Sequence, residues 1–281
     1  MKKIKIYLKL LRVKHYIKNI LLFMPLIFSN LITTKNILLT IIGFISFSFM
    51  ASTIYIINDI KDIESDKLHK YKKNRPLASG EITKKEAYII AIILFTASIV
   101  LNYFIGGLNS LSYIYLLGYF ILNLLYTYIF KKIVVLDIFC LMLFYVIRVY
   151  YAAAIINVEV SVWLYLTVMS FSLYIALNKR KGEYISSHHT RKVLSSYNES
   201  FLNDFMNICI ASTIVFYSLW ACNIKGGYFI ITIPLLIAII MKFSLASNNN
   251  NNQDVIETLI SDKVLIILCL IYGIIVLLLM R

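Results

Sequence analysis

Asn58, Asp59, Asp62 and Asp66 form the strongest chemical pattern in the chain. Asp59 and Asp62 are three residues apart, and Asp62 and Asp66 four. On one continuous helix the three carboxylates therefore stack along a single face. Like charges stacked in this way repel, and a bound cation removes the penalty. Hard oxygen ligands in a partial set suit Mg2+, which takes one or two carboxylates, several waters and the oxygens of a substrate phosphate. The plainer alternative is a solvated acidic face balanced by Lys61 and Lys67. The strict spacing at the end of an apolar run favours metal.

A basic arm follows at Lys70, Lys72, Lys73 and Arg75. Beside a metal such groups hold phosphate, arginine through a two-pronged fork and lysine as a point charge. Arg75, next to the fixed ring of Pro76, is the better candidate. Lys70 and Lys72 are equally well explained as charges that set membrane topology. In all, residues 58–86 gather six carboxylates and eight Lys or Arg residues.

A second charged loop opens with Asn178, Lys179, Arg180, Lys181, Gly182 and Glu183. Arg148 lies inside an apolar run that begins near Lys131, Lys132 and Asp137. A charge within a span is costly and marks function by default. Asp137 is eleven residues from Arg148, about three helical turns, so both can face one cavity. A purely structural pair is the alternative. Lys18 and Asn19 open the first apolar run, and Tyr126 and Lys131 close the fourth, in range of the same pocket. His15, His69, His188 and His189 have no partner spacing and read as surface residues. Cys140, Cys209, Cys222 and Cys269 lie in apolar segments without CxxC spacing and read as packing residues.

The elements that must position these groups belong in lipid. Of 281 residues, 60% are hydrophobic and 15% charged, and the mean hydropathy is +0.80. A soluble domain is about 45–50% apolar. Apolar runs of about 17–25 residues can span a bilayer. Nine are present, at 17–32, 37–57, 87–104, 109–129, 133–155, 160–178, 205–222, 227–245 and 263–280. The first is the weakest, because Lys18 and Asn19 interrupt its start. The length and continuity of the runs predict helices rather than a barrel. The expected architecture is an all-α integral membrane protein, one multi-pass domain over 1–281, with its chemistry on loops 58–86 and 179–204. No cleavable signal peptide is expected, because basic residues are spread through the N-terminal stretch. Residues 247–253, rich in asparagine, read as a low-complexity connector.

A net charge of +14 raises the question of nucleic acid. Its distribution answers it. With nine spans, one side of the membrane receives 24 of the 28 Lys and Arg residues. The other receives Lys35, Lys225 and Arg281. The basic side faces the cytoplasm, which predicts an N-terminus inside, a C-terminus outside and no nucleic-acid partner. Trp163 and Trp220 fall at the outer ends of spans, as in an aromatic belt.

The nine runs with Asn58-Asp59-x-x-Asp62-x-x-x-Asp66 after the second resemble the UbiA superfamily of membrane prenyltransferases. That superfamily carries a second aspartate motif, DxxxD, after the sixth span. Here residues 178–183 read NKRKGE instead. The departure resembles the branch of decaprenyl-phosphate phosphoribosyltransferases, as do RVKHYIKNILLFMPLIFS at 12–29, NDIKDIESDKLHKYKKNRPLASGEI at 58–82, NLLYTYIFKKIVVLDI at 123–138, VIRVYYAA at 146–153 and LNKRKGEY at 177–184. The resemblance implies a nine-helix bundle around a cytoplasm-facing cavity, and a bacterial plasma membrane is the expected location. It implies Mg2+-dependent transfer of a 5-phosphoribosyl group from phosphoribosyl diphosphate to a polyprenyl phosphate, with release of diphosphate. Asp59, Asp62 and Asp66 would then hold metal and donor diphosphate, supported by Asn58. Lys18, Asn19, Lys73, Arg75, Tyr126, Lys131, Arg148, Lys179 and Arg180 would contact phosphates or ribose. Glu183 would bind ribose hydroxyls or orient Lys179 and Arg180.

Charge count agrees with this branch. Two phosphorylated substrates need more cations than one prenyl diphosphate and a neutral aromatic acceptor. An aromatic-acceptor prenyltransferase is the first alternative, and an anionic-solute transporter the second. The transporter is disfavoured because no internal repeat is visible and the charge cluster lies at the end of a span rather than mid-membrane.

Overall fold

A computed structural model describes residues 2–29, 31–68, 72–107, 110–185, 192–224, 227–249 and 255–280. His69, Lys70, His188, His189, Lys225, Arg281 and the connector residues 250–253 lie outside them. Every regular element among the described residues is helical: α1 Lys2–Leu10, α2 Met24–Phe28, α3 Thr34–Lys61, α4 Ile63–Leu68, α5 Lys84–Gly106, α6 Leu111–Tyr128, α7 Leu136–Ile156, α8 Val162–Ile185, α9 Glu199–Asn223, α10 Ile233–Asn249, α11 Val255–Ser261 and α12 Lys263–Leu279. Short 3-10 segments join them.

Six helical stretches are long and apolar enough to cross a membrane: Thr34–Lys61, Lys84–Gly106, Leu111–Lys132, Leu136–Ile155, Glu199–Asn223 and Tyr228–Ser247. The chain is a multi-pass membrane protein. The run at 17–32 is not one helix. A 3-10 segment, Val13–Phe23, leads into the short α2, and α3 starts only at Thr34. α8 is long but carries Lys179, Arg180, Lys181 and Glu183 in its last turns. α12 is apolar and 17 residues long.

Helix starts follow local chemistry. The Thr33 hydroxyl accepts from the Asn36 N–H at 3.2 Å, Asn198 from Phe201 at 2.7 Å and Asp262 from Leu265 at 3.1 Å. Thr83 and Glu86 form a reciprocal capping box ahead of α5. Each such cap satisfies N–H groups that have no partner within the helix. Thr83→Ala is expected to cost about 1 kcal/mol, read as a small drop in melting temperature.

The chain divides into two compact units. The first comprises residues 1–26, 31–127 and 151–158. Its main packing is α3 along α5. Ser46 and Ser98 each donate to the other's backbone carbonyl at 2.8 Å, and Thr53 donates to the Ala91 carbonyl at 3.4 Å. Small side chains let the two backbones approach closely, which is how helices associate where lipid supplies no hydrophobic drive. Gly43 makes room for a different helix, since a Cβ there would overlap the Ile155 side chain of α7. A satellite core of Leu10, Ile56, Ile63, Leu77, Ile82 and Ala87 packs the α1 end, the loop after α4 and the start of α5 against α3.

The second unit comprises residues 27–30, 128–150 and 159–281. There α8 packs along α9, and Thr213 donates to Ser170 at 3.0 Å across the contact. Its core includes Ile138, Tyr174, Tyr197, Leu202, Phe243 and Leu265.

Candidate functional site

In the first unit the aspartates stand where α3 meets α4. The expected single helix is interrupted: α3 ends at Lys61, and Asp62 caps it with φ −95° and ψ 10°. Aspartate competes for local hydrogen bonds and suits such a cap better than a helix interior. The interruption is slight. The Asp62 N–H still donates to Asn58 O at 3.0 Å, and the Asp66 N–H to Asp62 O at 2.8 Å. Asp59 and Asp66, about two turns apart, therefore keep a common direction, and both are buried. Asp62 is half-buried.

The two buried carboxylates converge on one nitrogen. Arg75 NH1 donates to Asp66 Oδ2 at 2.6 Å and to Asp59 Oδ1 at 3.1 Å. Arg12 NH2 donates to the same Asp59 Oδ1 at 2.5 Å. Asn58 accepts from the Thr127 hydroxyl at 2.5 Å, and Lys61 donates to the Thr127 carbonyl at 2.7 Å. The end of α3 is thereby fastened to the end of α6. Asn19 is buried and donates to Ser48 at 3.0 Å. Lys18 and Tyr126 are half-buried, and Lys73 is exposed.

Two carboxylates that already meet around one cationic nitrogen fit a small hard cation, provided the remaining ligands come from water and phosphate. Among the described residues, no three His, Cys, Asp or Glu side chains gather as a metal cluster. The donor set is thus a partial one, of the kind that depends on substrate oxygens.

In the second unit, Arg180 is wholly buried. Its Nε donates to Asp137 Oδ2 at 2.6 Å, and its NH1 to Glu183 Oε2 at 2.6 Å. The Tyr197 hydroxyl donates to the other Asp137 oxygen at 2.6 Å and accepts from the Val135 N–H at 2.7 Å. Val135, a β-branched residue at φ 71°, is in a conformation such residues rarely adopt, and that hydrogen bond holds it there. Burial, and then the hydrogen bond to Asp137, push the Tyr197 phenol well above its ordinary range. It stays a proton donor at any physiological pH.

Arg148 is buried as expected for a charge within a span. It donates to the Phe144 carbonyl at 2.5 Å and lies 5.6 Å from the Tyr145 ring centre, a cation–π distance. The carboxylate three turns before it, Asp137, is engaged by Arg180 and Tyr197. Lys131 and Lys179 are half-buried.

Sequence reasoning gave no role to Arg12, Thr127 or Tyr197. Arg12 lies in a basic stretch that topology alone explains, and 47 residues separate it from Asp59. No spacing rule joins them. Thr127 and Tyr197 carry no signal beyond their polarity.

A model of the UbiA prenyltransferase family matches residues 20–261. The chain is 28% identical over 278 residues to a decaprenyl-phosphate phosphoribosyltransferase of Corynebacterium glutamicum, covering 94% of this chain and 83% of that protein. It is 30% identical over 247 residues to the protein of the same name from Mycolicibacterium smegmatis, covering 82% and 76%. Its fold matches a UbiA homolog from Archaeoglobus fulgidus bound to GPP and Mg2+, with a TM-score of 0.74, 21% identity and coverage of 97% and 99%.

Proposed function

The chain belongs to the UbiA prenyltransferase family and is a transferase, and on that premise we propose that it moves a 5-phosphoribosyl group from phosphoribosyl diphosphate to a polyprenyl phosphate. The observation that carries the reading is that two guanidiniums stand at the aspartate cluster itself. Two arginines, Arg12 and Arg75, reach the pair Asp59 and Asp66. A site for one prenyl diphosphate and a neutral acceptor has less use for two such cations than a site for two anionic substrates. The names of the relatives above point the same way.

In this reading Asp59, Asp62 and Asp66, with Asn58, hold Mg2+ and the donor diphosphate. Bound there, the ion would supply neutralisation of the leaving diphosphate. The chain's own residues do the rest. In the first unit Lys18, Asn19, Lys73, Arg75 and Tyr126 bind phosphate oxygens or ribose. The same work is proposed for Lys131, Arg148 and Lys179 of the second unit. Arg180 and Glu183 act through their mutual ion pair, which orients the end of α8. The C1–O bond to diphosphate breaks as a lipid phosphate oxygen bonds to C1. The acceptor is already anionic, so no strong base is required. Positioning and fixed positive charge lower the barrier. Nine spans, a cytoplasmic N-terminus and a bacterial plasma membrane belong to the same proposal.

The test is a transfer assay on the purified chain in detergent, with ribose-labelled phosphoribosyl diphosphate, a C50 or C55 polyprenyl phosphate and Mg2+. Label is expected in the lipid phase, and EDTA is expected to abolish it. Transfer of a prenyl group to an aromatic acceptor, with no phosphoribosyl transfer, would overturn the reading.

A further inference from the structure

Arg12 makes the shortest guanidinium contact at the aspartate cluster, 2.5 Å to Asp59 Oδ1. Its guanidinium carbon also lies 4.8 Å from the Tyr55 ring centre. Its backbone is left-handed, with φ 51° and ψ 45°, a conformation unfavourable for a residue with a side chain. The turn between α1 and the 3-10 segment after it thus carries Arg12 to the carboxylate, and the ring holds the guanidinium there.

The oxygens that hold these arginines are those a metal would need. Asp59 Oδ1 receives both Arg12 and Arg75, and Arg75 NH1 also reaches Asp66 Oδ2. Two buried carboxylates cannot stand side by side without compensating charge. Here the chain supplies that charge itself. A divalent ion at roughly 2.0–2.1 Å from the same oxygens would repel both guanidiniums at contact range.

We propose that Arg12 and Arg75 are counterions of the Asp59–Asp66 pair, and that a divalent cation binds these carboxylates by displacing them, which frees both guanidiniums for the anionic groups that arrive with it. Arg12 then competes with the metal for Asp59 and, once displaced, is an anion-binding residue. Metal and diphosphate load together, because displaced arginines need an anion. The inference rests on the reading of Asp59 and Asp66 as metal ligands.

The test is a Mn2+ titration of the purified full-length chain, followed by electron paramagnetic resonance with no phosphate present. Arg12→Gln is expected to bind Mn2+ about tenfold more tightly than wild type, because it removes one charge-assisted competitor for Asp59. In EDTA the variant should melt below wild type, and saturating Mn2+ should raise its melting temperature by more than it raises that of wild type. If Arg12→Gln does not fold, Arg12→Lys carries the same test with a gain of about threefold, since lysine keeps the charge but loses the fork. Asp59→Asn should weaken Mn2+ binding about tenfold or more. Unchanged or weaker Mn2+ binding in the Arg12 variants, with the loss in Asp59→Asn intact, would overturn the exchange and leave the metal reading standing. Mn2+ binding untouched in both Asp59→Asn and Asp66→Asn would overturn the metal reading, and the exchange with it.

Discussion

Asp66→Asn is expected to lower the proposed phosphoribosyl transfer by about 10³-fold or more, roughly 4 kcal/mol of transition-state stabilisation. The substitution keeps shape and removes charge. Asp66 is buried, and its Oδ2 meets Arg75 NH1 at 2.6 Å. Arg75 retains Asp59 as a partner at 3.1 Å and is partly exposed, so water screens the charge left over. The protein should insert and fold with nearly wild-type yield. What it should lose is one of the two carboxylates that converge on the proposed cation position, and with it the neutralisation of the departing diphosphate. The measurement is label transfer into lipid, beside a melting curve on the same preparation. A folded variant retaining more than about a tenth of wild-type activity would remove Asp66 from the metal set. Lost activity with a collapsed melting transition would make Asp66 a structural residue instead.

Much of the fold is legible in the sequence because lipid imposes a simple rule on apolar runs. The run at 37–57 lies within α3, Thr34–Lys61, and the run at 87–104 within α5, Lys84–Gly106. The helices overshoot the runs because polar residues that lengthen or cap a helix are invisible to a hydrophobicity count. Thr83 with Glu86 ahead of α5 is one such case. The run at 17–32 is less regular for a related reason. It is apolar enough but includes a stretch of 3-10 geometry with the buried polar Asn19, which bonds Ser48 rather than facing lipid.

The candidate site is legible where chemistry is local and illegible where it is not. The spacing of Asp59 and Asp66 placed both on one side, and both reach Arg75, nine residues beyond Asp66. Arg12 and Asp59 are 47 residues apart, and Tyr197 and Asp137 are 60. No periodicity spans such distances. A basic residue in a basic terminus also gives no sign that it has been drawn to one carboxylate. Arg180 shows the converse case. Its place in a lysine-rich loop suggested a phosphate ligand, whereas its guanidinium is enclosed by Asp137 and Glu183.

That enclosure carries the second large expected effect. Arg180 and Asp137 both have side chains 0% exposed. A buried ion pair adds little over an apolar pair, yet removing one partner strands a charge and costs about 3–5 kcal/mol. Arg180→Met should therefore destabilise the protein by about that amount. Asp137→Asn should cost less, because asparagine can still accept from Tyr197 and Arg180 keeps Glu183. The double variant should be more stable than the sum of the two predicts, by about 1–3 kcal/mol. Denaturant or thermal unfolding of the two single variants and the double one measures this coupling. The same cycle separates two roles for Arg180. A phosphate ligand would lose substrate affinity with little change in stability, and its loss would not couple to Asp137. A pillar tying the start of α7, the end of α8 and Tyr197 together would show the coupling, and its effect on transfer would follow from displacement of Lys179 one position before it. The geometry favours the pillar, because a guanidinium saturated by two carboxylates in a buried site has little charge left to offer an incoming phosphate.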